Sequence, residues 1–152
     1  MHRLIPLLAL MLAPLPASAQ SWTFQSVQFC ALKSRQGGTF VEVTFDRSRA
    51  LPFELSITSA EGWPRAEFFS IAFSGEQNTN VTTRDHKVSR DGRTITVKSL
   101  GIPSIANGLL YDDVALASTG GRNVTFSTER ARGRASQFLS CATTPRGGVG
   151  GG

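Results

Sequence analysis

Two cysteines, Cys30 and Cys141, bracket most of the sequence that can pack. If they are bonded to each other, the fold must bring those positions to about 6 Å at Cα. Whether they are oxidised depends on the compartment, and the N-terminus speaks to that. His2 and Arg3 give a short positive start, and residues 4–15 form an apolar run without charge. Pro16 then precedes Ala17-Ser18-Ala19, a small-x-small cleavage site. This three-part layout predicts a secretory signal peptide over residues 1–19, cut after Ala19. The run is well short of the roughly twenty residues that a membrane-spanning helix needs. The site carries no cysteine and a single Arg precedes the run, against the lipoprotein and twin-arginine routes. Sec-type export to the periplasm or the medium follows, with no transmembrane segment in the mature chain. An isolated cysteine pair in such a chain, without Cys-x-x-Cys, reads as one structural disulfide. In the chain-entropy account a loop this long is worth roughly 4–5 kcal/mol.

Between the cysteines the apolar residues alternate. Val41, Val43 and Phe45 share one face of a strand, as do Phe53, Leu55 and Ile57, then Phe69, Ile71 and Phe73. Trp22 to Phe29 reads as an opening strand whose phase slips at Gln25-Ser26, the sign of a bulge or bend. Lys33 to Gly38 reads as a polar turn and Gly75 to Asn80 as a polar loop. Residues 81–99 read as a hairpin turned by Asp91-Gly92, a type I′ signal. Leu109, Leu110, Asp113, Val114 and Ala117 fit a helical period that Gly120-Gly121 stops, with a strand at residues 114–116 as the competing reading. Residues 123–128 read as a strand. Gly133 to Ala142 reads as a helix carrying Cys141 on its last turn, stopped by Pro145. The glycine-rich end, residues 146–152, reads as a flexible tail. The expected class is α+β: one antiparallel sheet of about six or seven strands in a single domain, residues 20–145. One or two short C-terminal helices would cover one face. A β-sandwich is the alternative.

Gly-Gly-Arg-Asn-Val-Thr-Phe (Gly120 to Phe126), followed by Gly-Arg-Ala-Ser-Gln-Phe-Leu-Ser-Cys (Gly133 to Cys141), resembles the end of small exported alphaproteobacterial proteins of the invasion-associated locus B family. The segment Trp22 to Cys30 is compatible with it. The resemblance covers about a third of the chain. It implies a β-rich periplasmic fold, without an enzymatic activity or binding residues to carry over.

Candidate chemistry is sparse. His86 is the one histidine beyond the signal segment and lies in a polar run, Thr-Thr-Arg-Asp-His-Lys. No Gly-x-Ser-x-Gly elbow accompanies it, and one histidine with two bridged cysteines does not furnish a zinc site. No metal or cofactor is expected. Asp112 and Asp113 are adjacent acids, which on a helix point about 100° apart. Glu61 with Glu67, or Asp46 with Glu54, would have to converge across strands to act as a hydrolase pair. Aromatic residues suggest more: ten Phe and two Trp in so small a chain exceed what its strands need. Trp63, in the turn Glu61-Gly62-Trp63-Pro64, either anchors a partner or folds back over the sheet edge. An exposed Phe68 beside it would complete an apolar patch.

The formal net charge is +5, and Arg outnumbers Lys thirteen to three. Planar guanidinium forks suit carboxylate and phosphate. Arg122, Arg130, Arg132 and Arg134 crowd the last third, pointing to an anionic lipid or glycan or to a solvated basic surface; no nucleic-acid motif is present. The function expected is that of a non-enzymatic exported accessory protein, binding an envelope protein or an anionic envelope component. Two alternatives are a small carboxylate hydrolase (Glu61, Asp112, Asp113) and a hydrolase inhibitor wedging with the 75–80 loop or the Trp63 turn.

Overall fold

The structure, a computed structural model, describes residues 21–98 and 102–144. The expected signal segment 1–19 and tail 146–152 lie outside the described residues. Strands β1 (Trp22–Gln25), β2 (Cys30–Gln36), β3 (Thr39–Phe45), β4 (Phe53–Ser59), β5 (Phe69–Gly75), β6 (Asn80–Thr83), β7 (His86–Val88) and β8 (Thr94–Lys98) come first. Helix α1 (Ile102–Tyr111), β9 (Asp112–Thr119), β10 (Arg122–Ser127) and α2 (Arg132–Thr143) follow. The strands form a six-stranded sheet in the order β1-β2-β3-β4-β8-β7 and a four-stranded sheet in the order β10-β9-β5-β6. Every pairing is antiparallel.

Register decides what each face buries, because directly opposed residues point the same way. Across the larger sheet, Trp22, Ser34, Val41, Ile57, Ile95 and Val88 form one row. Phe24, Leu32, Val43, Leu55, Val97 and His86 form the next. The opposite face is polar: Lys33 pairs with Glu42 at 3.1 Å, and Lys98 with Glu54 at 3.5 Å. In the smaller sheet Phe69, Ile71 and Phe73 lie opposite Thr119, Ala117 and Ala115, with Val124 and Phe126 of β10 beyond. Their apolar members and those of the larger sheet's rows form one hydrophobic cluster, with Phe24 and Val88 packed against it, so the sheets face each other.

The helices close one end of that layer. Helix α1 packs on β5, β6 and β9, and α2 on β1 and β2, with the two helices in contact. Phe138 of α2 meets Phe53 edge-on at 6.4 Å, and Ala135 and Ala142 are buried beside it. The disulfide joins Cys141 to Cys30 at 5.9 Å between Cα atoms. Arg47 donates to the carbonyls of Cys141 (2.7 Å), Ala142 (3.3 Å) and Thr144, satisfying C-terminal groups that a helix leaves unpaired.

The antiparallel sheet-rich class with two short helices is as expected, but among the described residues the ten strands divide between two sheets rather than forming one. Four local readings change. Lys33 to Gln36 continue β2, because polar residues alternate there for a reason: Ser34 is buried while Lys33 and Arg35 face out, Arg35 over the Phe40 ring at 5.1 Å. Only Gly37-Gly38 remain for the turn. The expected helix stops at Tyr111, and residues 112–119 are a strand whose Ala115 and Ala117 are fully buried between β5 and β10. Small side chains there matched a helical period by coincidence of spacing. The β7–β8 loop spans residues 89–93, closed by Ser89 N–H donating to Thr94 O at 2.8 Å; of Asp91 and Gly92, only Gly92 has positive φ. The 81–99 hairpin is split, β6 belonging to the smaller sheet and β7–β8 to the larger.

Candidate functional site

Trp63 is not a surface anchor. It is 5 % exposed, edge-on to Phe69 at 6.5 Å, and its indole N–H donates to Ile57 O at 2.9 Å. The turn folds back because that pairing satisfies the one polar atom of a side chain whose remainder is apolar. Phe68 does stay outside, 45 % exposed, with the Arg84 guanidinium 4.5 Å above its ring and Glu67 pairing Arg84 at 3.3 Å.

The four arginines of the last third do not form one patch. Arg122 opens β10 and pairs with Glu61. The length of β10, about 17 Å at 3.4 Å per residue, separates it from Arg130, Arg132 and Arg134. Arg132 donates to Leu110 O at 2.6 Å and lies 3.5 Å from Glu76. Arg134 donates to Gln137 at 3.0 Å, and Arg130 is exposed in the turn before α2.

The candidate acids are engaged separately. Asp112 is buried, and its carboxylate accepts from the N–H groups of Gln77 (2.8 Å), Asn78 (3.0 Å) and Thr79 (3.4 Å). It fastens the β5–β6 loop to the start of β9, so that loop is a tied structure. Asp113 faces solvent. Glu61 and Glu67 serve Arg122 and Arg84. Asp46 and Glu54 do approach each other, but through Arg49, which lies 3.1 Å from one and 3.5 Å from the other. Ser48 donates to Asp46 from its hydroxyl (2.6 Å) and its N–H (3.0 Å), and these bonds, with Arg49, hold the Asp46 carboxyl below its ordinary value of 3.8. His86 is half-buried on the inner face, 6.2 Å from the Phe69 ring, rather than on an exposed arm.

The end of the molecule bearing the disulfide shows apolar surface that periodicity hid. Val27 and Phe29 read as strand positions, yet β1 stops at Gln25 and residues 26–29 form a loop on which Val27 is 89 % and Phe29 37 % exposed. The signal was the phase slip at Gln25-Ser26. Phe29 borders a groove of about 550 Å³ lined also by Ser26, Asp46, Arg47, Ser48 and Cys141. The recess beside this apolar tip is lined by polar and apolar side chains alike, Phe45 among them. Among the described residues no three His, Cys, Asp or Glu side chains gather as a metal site, and no helix is long and apolar enough to cross a membrane. In comparisons with known proteins, the chain matches no family model, no curated protein and no solved structure.

Proposed function

We propose that the mature chain is a non-enzymatic accessory protein of the bacterial envelope that binds another envelope protein through its β1–β2 loop. The observation that carries this reading is the exposure of Val27 and Phe29, two apolar side chains on one short loop beside the groove at Arg47. Exposed apolar side chains cost solvation unless a partner covers them, and the loop leads directly into the Cys30–Cys141 bridge, whose Cys141 carbonyl accepts from Arg47. The expected signal peptide and the resemblance of the C-terminal third to the invasion-associated locus B family support the envelope address. The commitment of Asp112 and Trp63 to the interior favours binding over hydrolysis or inhibition by those elements.

The test uses oxidised protein, residues 20–152, immobilised and exposed to bacterial envelope extract at 0.1 and 1 M salt. The reading expects one protein retained at both salts, and lost from the Val27→Asp, Phe29→Ser double variant with its melting temperature unchanged. Retention of lipid or glycan that 1 M salt removes would put the arginines in its place, since exposed ionic contacts are screened. Equal retention by the double variant would sink the loop assignment.

A further inference from the structure

We propose that the free edge of β10 docks an extended peptide segment of a partner protein, which adds to the smaller sheet as a fifth strand. The inference goes beyond the loop reading and rests on different residues. Gly120 and Gly121, both at positive φ (52° and 81°), form a two-residue turn, which makes Thr119 and Arg122 the first hydrogen-bonded pair of the β9–β10 hairpin. Hydrogen-bonded and non-bonded pairs alternate along an antiparallel ladder. The N–H and C=O groups of Asn123, Thr125 and Ser127 therefore point away from β9, toward the open side.

One of these three rungs is filled, and its occupant shows what chemistry the edge takes. The side-chain amide of Gln36 accepts from Ser127 N–H at 2.8 Å and donates to Ser127 C=O at 2.8 Å. A carboxamide is a peptide group in miniature, so Gln36 sits where the first rung of a fifth strand would lie. Asn123 and Thr125 have no corresponding backbone partner among the described residues. Beside them runs a groove of about 310 Å³, walled on the other side by Gly38, Thr39, Ser59 and Ala60. Its lining is small and uncharged between the ends, and the one nearby cation, Arg122, is paired to Glu61. The fitting partner is an uncharged extended segment with small inward side chains.

Two further observations favour this edge. At six residues, β10 is longer than the other edge strands β1, β6 and β7. It also carries no proline or bulge, and its one charged residue, Arg122, stands at its start. Two copies of residues 20–152, which carry 15 Lys and Arg against 11 Asp and Glu, repel each other, which favours a different partner over β10–β10 pairing.

The probe is a set of acetylated, amidated Thr-Ala heptapeptides: unmethylated, N-methylated at alternate residues (one edge still free), and N-methylated throughout. Amide hydrogen exchange of residues 20–152 is followed at millimolar peptide. The expected result is at least tenfold slowing at Asn123 and Thr125 with the first two peptides and none with the third. Thr125→Pro, which removes an outward donor and no β9 rung, abolishes it; Thr125→Lys serves if the proline variant does not fold. The proposal is overturned if these amides do not respond, if the fully methylated peptide works equally, or if they are already protected in a peptide-free dimer.

Discussion

Gln36 and Ser127 lie ninety-one residues apart, yet their amides meet as two strands would, with one 2.8 Å bond in each direction. Trp22 adds a second bond to the Ser127 carbonyl, its indole N–H donating at 3.2 Å. The larger sheet's first two strands are thereby tied to the far end of β10. Replacing Gln36 by Leu removes both of its bonds to Ser127 and leaves the carbonyl to Trp22 alone. Each lost net hydrogen bond is worth about 1 kcal/mol, so chemical denaturation should show a loss of about 1–2 kcal/mol, with faster exchange at the Ser127 amide. An unchanged midpoint would mean that solvent replaces Gln36 without loss.

Gly108 offers a test in which helix propensity and packing disagree. In an exposed helix, Gly→Ala gains about 1 kcal/mol. Here a Cβ at position 108 would fall 2.3 Å from the Phe73 ring, inside a core that has no slack. Gly108→Ala should therefore destabilise, by about 1–3 kcal/mol or more. Adding Phe73→Leu should recover part of the loss. Thermal unfolding of the three variants decides it, and a stabilised Gly108→Ala would show that α1 can shift away from β5.

Asp112 should be needed for its charge and shape, and not for chemistry. Asn at this position keeps one acceptor oxygen but turns an amide NH₂ toward backbone N–H donors. A buried donor left facing a donor costs about 1–3 kcal/mol. Asp112→Asn should lower stability by that order and raise exchange at Gln77, Asn78 and Thr79 before the rest of the molecule responds. Exchange that rises uniformly would count against a local role.

Acid should weaken the loops through Asp46 and Asp91. The Asp91 carboxyl is held below its ordinary value of 3.8 by the Ser89 hydroxyl (2.5 Å), then by Arg93 N–H (3.1 Å), and Asp46 is lowered by Ser48 and Arg49. A depressed folded-state pKa means that the unfolded chain takes up the proton first. The stabilisation is complete above about 3.8 and is lost as pH falls through the lower folded values. The Asp46→Asn, Asp91→Asn double variant should be less stable at pH 7 but lose less between pH 5 and 2. Parallel profiles for variant and parent would refute the linkage.

The sequence by itself determined the elements whose side chains alternate with period two, and the pairing of its cysteines. Val41, Val43 and Phe45, or Phe69, Ile71 and Phe73, had to turn one face inward wherever their strands went, because a strand places alternate side chains on opposite faces. Cys30 and Cys141 had no other partner in the chain. Periodicity names a buried face but not the surface that buries it. Only the tertiary structure sent β5, β6, β9 and β10 into a second sheet, drew Trp63 inward onto Ile57 and Phe69, and left Val27 and Phe29 outside where β1 breaks. The same holds for polar side chains. Asp112 gave no local hint that its carboxylate would collect three N–H groups more than thirty residues away. Such partners meet only when the sheets close, since each is satisfied equally well by water until burial makes an unpaired group costly.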